Sequence, residues 1–202
     1  MLSLILDSAN KELGVALAQD GTLLDEIRYE ARQRQSELMI PEIENIFKKN
    51  HVNPKDVGEI LVTVGPGSYT GVRIALTIAK VYGYALNIPV YAFSSLEVLA
   101  DLEKPSICLI NARSNRSYFA VYEKGNVLVN DQVLTNDEVI KYVNEHKDYV
   151  ICGETSYLDL VSENSDVLKN MFALKNDSYK VENILKLKAV YLKDENDYKK
   201  SN

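Results

Sequence analysis

Gly65-Pro66-Gly67-Ser68-Tyr69-Thr70-Gly71-Val72-Arg73 is the stretch on which the reading of this 202-residue chain turns. It follows the apolar run Ile60-Leu61-Val62-Thr63-Val64 and opens a helical segment that runs from Gly71 to Leu86. A strand, a Gly/Pro turn and a helix in that order either aim backbone N–H groups at an anion or let the turn pack very closely. The helix says more than the loop. Its charged or clearly polar positions are Arg73, Thr77 and Lys80, which with Tyr84 form one narrow stripe at helical spacing. A helix on a small domain normally shows one apolar stripe and a broad polar face. Here the proportion is inverted. That predicts cover on at least two sides, from a deep layer of the same domain or from another protein.

Working outward, the same half reads as strands at Leu2–Asp7, Leu13–Ala18 and Thr22–Tyr29, with polar turns between them. A helix from Gln35 to Lys49 follows, its apolar residues Leu38, Met39, Ile43, Ile46 and Phe47 at helical spacing. Next come a strand at 59–64, the Gly loop, the apolar helix, a strand at Val90–Phe93, and a helix beginning near Ser94 or Ser95. The second half repeats the opening, with strands at 106–111, 117–122 and 126–134, then a helix over 137–145 capped by Asn136. A strand at 149–152 leads to Gly153-Glu154-Thr155-Ser156-Tyr157 and a further helix. Asp7 corresponds to Asn111, Ala16 to Ala120 and Gly21 to Gly125 without a gap. A repeat this long implies a duplicated unit. Three hairpin strands extended by parallel crossovers make a mixed sheet with helices on its faces. The expected lobes are residues 1–103 and 104–193, the last helix being free to pack back on the first lobe. Val181 to Lys188 reads as helical, and the charged residues 194–202 as a disordered tail.

Composition narrows the function classes. With 23 Lys+Arg against 29 Asp+Glu the net charge is −6, and no basic cluster is dense. Proteins that grip nucleic acid alone need a basic face, because phosphate neutralisation supplies most of the affinity. Sole responsibility for holding RNA is therefore not expected. Leu4-Ile5-Leu6 is far too short for a signal-peptide core and no apolar run approaches a membrane span, so a cytoplasmic chain without membrane contact is expected. Cys108 and Cys152 lie in apolar strand-like runs and read as buried thiols. His51 and His146 each follow a predicted helix, where imidazolium suits the negative end. There is no HExxH and no CxxC, so neither metal nor cofactor is expected.

The run from Gly65 to Arg73 resembles the hallmark of the TsaB (YeaZ) family. Supporting matches are Ile5-Leu6-Asp7-Ser8-Ala9, Ser36-Glu37-Leu38 ahead of Pro41, Ile88-Pro89-Val90 leading to Ser94-Ser95-Leu96, and Val190-Tyr191-Leu192-Lys193. The match is dense over about the first hundred residues and thinner from Leu134 to Lys188. The resemblance implies an α/β, actin-like and Hsp70-like ATPase fold of duplicated ribonuclease H-like lobes, each a mixed five-stranded sheet with flanking helices. It implies a non-catalytic subunit that supports the transferase TsaD, with the ATPase TsaE as a third member. Together they form threonylcarbamoyladenosine next to the anticodon of tRNA. It further implies tRNA contact only through the partner, and a homodimer when the chain is alone. Two positions depart from the family: Gln35 stands where relatives commonly carry His, and Asn111-Ala112-Arg113 where they often carry Asp-Ala-Arg.

The residues also weigh the chemistry. Active members of the wider fold place a carboxylate and a glycine at each lobe's first turn to organise magnesium and admit phosphate. Here Asp7 is followed by Ser8-Ala9, and the second turn offers neutral Asn111. Gln35 and Met39 are poor ligands for a hard or borderline cation, so peptidase chemistry is not expected either. No catalytic residue is proposed. Asp7, Gly67 and Arg73 remain candidates for a nucleotide or phosphate shared with a partner. The candidate partner interface is Leu38, Glu42, Ser68, Tyr69, Thr70, Arg73, Thr77 and Lys80. A degenerate small-molecule kinase or ATPase and a self-associating fold relic stand as alternatives.

Overall fold

The computed structural model describes residues 1–193, and the expected disorder of residues 194–202 lies outside them. In the first sheet β1 (Leu2–Asp7), β2 (Glu12–Gln19) and β3 (Thr22–Glu30) form a meander, and β4 (Val57–Thr63) and β5 (Val90–Phe93) extend it in parallel. The order is β3-β2-β1-β4-β5. Two helices cover one face, α1 (Gln35–Lys49) and α2 (Tyr69–Leu86). The inner strands are buried on both faces, which is why β1 and β4 read as nearly continuous apolar runs.

The second sheet repeats the plan with β6 (Ser106–Arg113), β7 (Arg116–Glu123), β8 (Asn126–Thr135) and β9 (Val150–Gly153), in the order β8-β7-β6-β9. It has four strands where the resemblance implied five. A fifth survives as one parallel bridge, Cys152 to Glu163, closed by the Glu163 N–H on the Ile151 carbonyl at 2.8 Å. The segment Ser162-Glu163-Asn164-Ser165 has no apolar alternation to continue a ladder. The chain instead turns into α4 (Val167–Leu174), which packs on β1, β2 and β4 of the first lobe.

Four other expectations change. The helix near Ser94 is a single 3₁₀ turn, Glu97–Leu99. Leu96 through Ala100 are all buried, so the segment has no polar face to present as a longer helix. The helix expected after Gly153 is likewise a 3₁₀ turn, Ser156–Leu158. Val181 to Lys188 holds only the turn Ile184–Lys186 and otherwise runs as an extended strap. The helix α3 (Asn136–Glu145) starts at its expected cap, one residue earlier than expected: Thr135 is the N-cap and forms a capping box with Glu138.

Three apolar clusters result. One lies between the first sheet and α1/α2, and one between the second sheet and α3. The third joins the lobes, with Ile5, Phe93, Cys108, Ala120, Leu168 and Met171 among its members. Cys108 and Cys152 sit opposite each other on neighbouring strands and are buried free thiols.

Candidate functional site

The Gly loop is fastened to the first turn of the chain. Ser68 N–H donates to the Ala9 carbonyl at 2.7 Å, and Ser8 Oγ donates to the Gly71 carbonyl at 2.7 Å. A Cβ at Gly67 would lie 2.1 Å from the Ala9 oxygen, and one at Gly71 only 1.9 Å from the Ser8 oxygen. Both glycines therefore serve the close approach of two backbones. Ser68 caps α2, its Oγ accepting the Gly71 N–H at 3.2 Å.

Asp7, Gly67 and Arg73 do not converge. Asp7 is buried, and its Oδ1 accepts from Thr63 Oγ1 at 2.5 Å and from the Ala9 N–H at 3.2 Å. Burial pushes its carboxyl upward in pKa, against the lowering effect of those hydrogen bonds. The space it lines is a cavity of about 20 Å³, shared with Arg28 and Ser95. Gly67 instead faces the interlobe cleft of about 840 Å³, whose walls include Lys11, Asn111, Arg113 and Glu154. Across that cleft Lys11 and Glu154 pair at 2.8 Å. In the second turn Asn111 Oδ1 accepts the Arg113 N–H at 2.8 Å. A neutral amide used locally and a carboxylate turned inward do not fit the magnesium site of the wider fold. Gln35 is a brace too: its amide donates to the carbonyls of Asn10 and Lys11, both at 3.3 Å.

The exposed feature is the face shared by α1 and α2. An open groove of about 410 Å³ runs between them, with Ile40, Ile74 and Ile78 as its apolar lining and Tyr69, Arg73 and Thr77 along one side. Ile40 is 49% exposed and Tyr69 60% exposed, large for apolar side chains on one surface. Thr70 lines both groove and cleft, while Ser68 lines the cleft only. The other three interface candidates point elsewhere. Leu38 packs against the first core. Glu42 accepts from the Tyr29 hydroxyl at 2.7 Å, over β3, and burial together with that carboxylate pushes Tyr29 up to about 12. Lys80 donates to the carbonyls of Leu185 and Leu187, both at 3.0 Å.

The inverted helix is thus covered in part by its own chain. Sheet, α1 and the C-terminal strap bury three sides, and the residual exposed line is Tyr69, Arg73, Thr77, Val81 and Tyr84. The sequence reading missed Ser36, Ile40, Ile74 and Ile78 in the groove. The signal for Ile40 was available: it is an apolar residue off the buried stripe of Met39, Ile43 and Ile46.

Two lobes of one topology, each opening with a three-strand meander and sharing a middle core, define a protein of the actin-like ATPase fold. The solved structure of YeaZ from Pseudomonas aeruginosa superposes with a TM-score of 0.75 at 22% identity, covering 95% of this chain and 99% of that one. Component A of the (R)-2-hydroxyglutaryl-CoA dehydratase of Acidaminococcus fermentans gives a TM-score of 0.51 at 11% identity, over 86% and 95% of the two chains. The family profile described as "TsaD: tRNA N6-adenosine threonylcarbamoyltransferase" matches residues 29–195. The Bacillus subtilis tRNA threonylcarbamoyladenosine biosynthesis protein TsaB is 35% identical over 144 residues, 69% of this chain and 62% of that protein. The Haemophilus influenzae protein of the same description is 25% identical over 233 residues, 98% of this chain and 95% of that protein. The chain belongs to the TsaB (YeaZ) family.

Proposed function

We propose that this chain is a non-catalytic scaffold subunit that docks a TsaD-family transferase through its α1/α2 face and so supports threonylcarbamoyladenosine formation in tRNA. The observation that carries the reading is the groove itself. Three isoleucines line an open surface beside a helix whose remaining sides are already packed. Contiguous exposed apolar surface of this kind marks a protein contact. The relatives' shared description supplies the pathway. The lobes taking part are residues 1–103 and 104–193, with the first carrying the docking face. The ATPase TsaE completes the assembly, tRNA is reached through the transferase, the chain pairs with itself when alone, and the compartment is the cytoplasm.

The kinase or ATPase alternative is disfavoured by Asp7, whose acceptor oxygen is already engaged. Reconstitution tests the choice. TsaD and TsaE from the same genome are assayed for tRNA modification with and without this chain. Modification that depends on the chain is expected; equal modification without it sinks the reading. ATP turnover by the chain alone that Asp7→Ala abolishes would establish the alternative instead.

A further inference from the structure

The C-terminal strap ends on the docking face. Val181 N–H donates to the Val90 carbonyl at 2.9 Å, and Val190 N–H to the Val64 carbonyl at 2.7 Å. These bonds carry the chain across α2 to the Gly loop. There the Tyr191 ring stacks on Tyr69, centroids 5.3 Å apart and planes inclined by 26°. Arg73 lies over the Tyr69 ring at 5.1 Å and donates to the Tyr69 hydroxyl at 2.9 Å. Hydrogen bonding to the Tyr191 hydroxyl is the largest cause holding the Arg73 guanidinium above its ordinary pKa. Tyr191 is nevertheless 49% exposed. Two tyrosines and an arginine thus form a raised cluster at one end of the apolar groove.

We infer that this cluster is the specificity element of the docking face: Tyr191 holds Tyr69 and Arg73 in place, and the partner presents a carboxylate to Arg73 beside an apolar helix ridge. The inference rests on the docking reading above. Among the described residues the partners of Arg73 are the two tyrosines and no carboxylate. A guanidinium offers up to five donors in a planar fork, and among the described residues most of those of Arg73 are left to take an acid. Tyrosine and arginine dominate binding energy where they are held rigidly at a contact. A second copy fits less well. No residue lining the groove is acidic, so two copies docked groove to groove bring no carboxylate to either Arg73. A sister protein with an acid on the facing helix satisfies both the groove and the charge.

Full-length chain and the TsaD-family transferase of the same genome are titrated by calorimetry at low and moderate salt. The wild type is expected to bind, with affinity falling as salt rises. Tyr191→Ala is expected to weaken binding at least tenfold, and Arg73→Glu more than that. Tyr191→Phe, which keeps the stack, is expected to lose less than Tyr191→Ala. Melting curves accompany each variant. Arg73 is exposed, so Arg73→Glu keeps the test decisive even if Tyr191→Ala unfolds the strap. Wild-type binding with both Tyr191→Ala and Arg73→Glu binding equally well overturns this inference and leaves the docking reading standing. No wild-type binding overturns both. Stronger self-association than transferase binding, unaffected by Arg73→Glu, also overturns it, in favour of a second copy as the occupant.

Discussion

Gly71→Ala reverses the sign that helix propensity alone would give. Gly71 stands in the first turn of α2, and alanine there gains at most about 1 kcal/mol of helix propensity. The added Cβ would meet the Ser8 carbonyl oxygen at 1.9 Å. A close C···O contact is about 3.3 Å, so the seam must open by roughly 1.4 Å. Both atoms that meet belong to backbone or Cβ, so no flexible side chain can yield. Opening the seam breaks the Ser8 Oγ bond to the Gly71 carbonyl and the Ser68 cap on the Gly71 N–H. Overpacking costs about 1–3 kcal/mol, and the hydrogen bond and the cap about 1 kcal/mol each. Less the propensity gain, the net is a destabilisation of about 2–4 kcal/mol. For a chain of this size that is a fall in Tm of roughly 5–15 °C. Urea unfolding and calorimetry read it directly, with Ala85→Gly as the control, since Ala85 is exposed on the same helix and reports propensity alone. A Gly71→Ala chain as stable as wild type would refute the account of the glycines as packing residues and return the loop to an anion-binding role.

Three more outcomes follow from the same contacts. Asp7 has a raised folded pKa, so folding takes up a proton there: its stabilising contribution is complete below the unfolded value of 3.8 and is lost as pH rises through the folded value. Asp7→Asn should therefore flatten the stability profile above pH 4 and leave neutral-pH stability equal or higher, as read by urea melts across pH; a steeper loss with rising pH contradicts the burial argument. Lys175 pairs with buried Glu59 at 2.6 Å, so Lys175→Met strands a carboxylate and should cost about 2–4 kcal/mol, less than a fully buried pair because Lys175 keeps some solvent, while Glu59→Gln added to it should restore most of the loss in chemical denaturation. Thr135→Ala removes the capping box of α3 and should cost about 0.5–2 kcal/mol in the same assay, whereas Lys141→Ala, exposed on the same helix and away from the cap, should cost less.

How much of this was legible depended on distance along the chain. The meanders were readable because short apolar runs broken by polar turns at Gly21 and Gly125 mark their hairpins locally. The missing fifth strand of the second sheet was not, because one bridge at Glu163 leaves no periodic pattern. On α1 the error was one of angle. Leu38 and Ile40 are two residues apart, about 200° around the helix, so Leu38 packs into the first core while Ile40 lines the groove beside α2. Sequence periodicity showed the buried stripe but not which flank faces the second helix. On α2 the polar stripe was readable, yet Lys80 within it serves the strap, and Tyr191 comes from the far end of the chain. No local pattern reports a contact made across so long a loop.

The same long-range contacts bear on the platform role proposed above. A nucleotide-processing fold of two lobes must open its cleft to exchange ligands. Here the lobes are pinned at several points. Arg28 donates to the Ser165 carbonyl at 2.6 Å while its Nη2 pairs with Glu12 at 2.6 Å. Asn170 donates to the carbonyls of Val98 and Ala100 at 3.0 and 2.9 Å. Tyr179 stacks on Phe93 at 4.5 Å and donates to Glu97 at 2.5 Å. Lys11 and Glu154 pair across the cleft, and the middle core runs unbroken through both sheets. Opening the cleft would therefore expose apolar surface as well as break polar ties, a cost of many kcal/mol at about 25 cal/mol per Å². A docking face held by that many contacts would lose little conformational freedom on binding a partner. In the proposed docking role, the contacts that resist movement of the lobes also keep the strap seated beside α2.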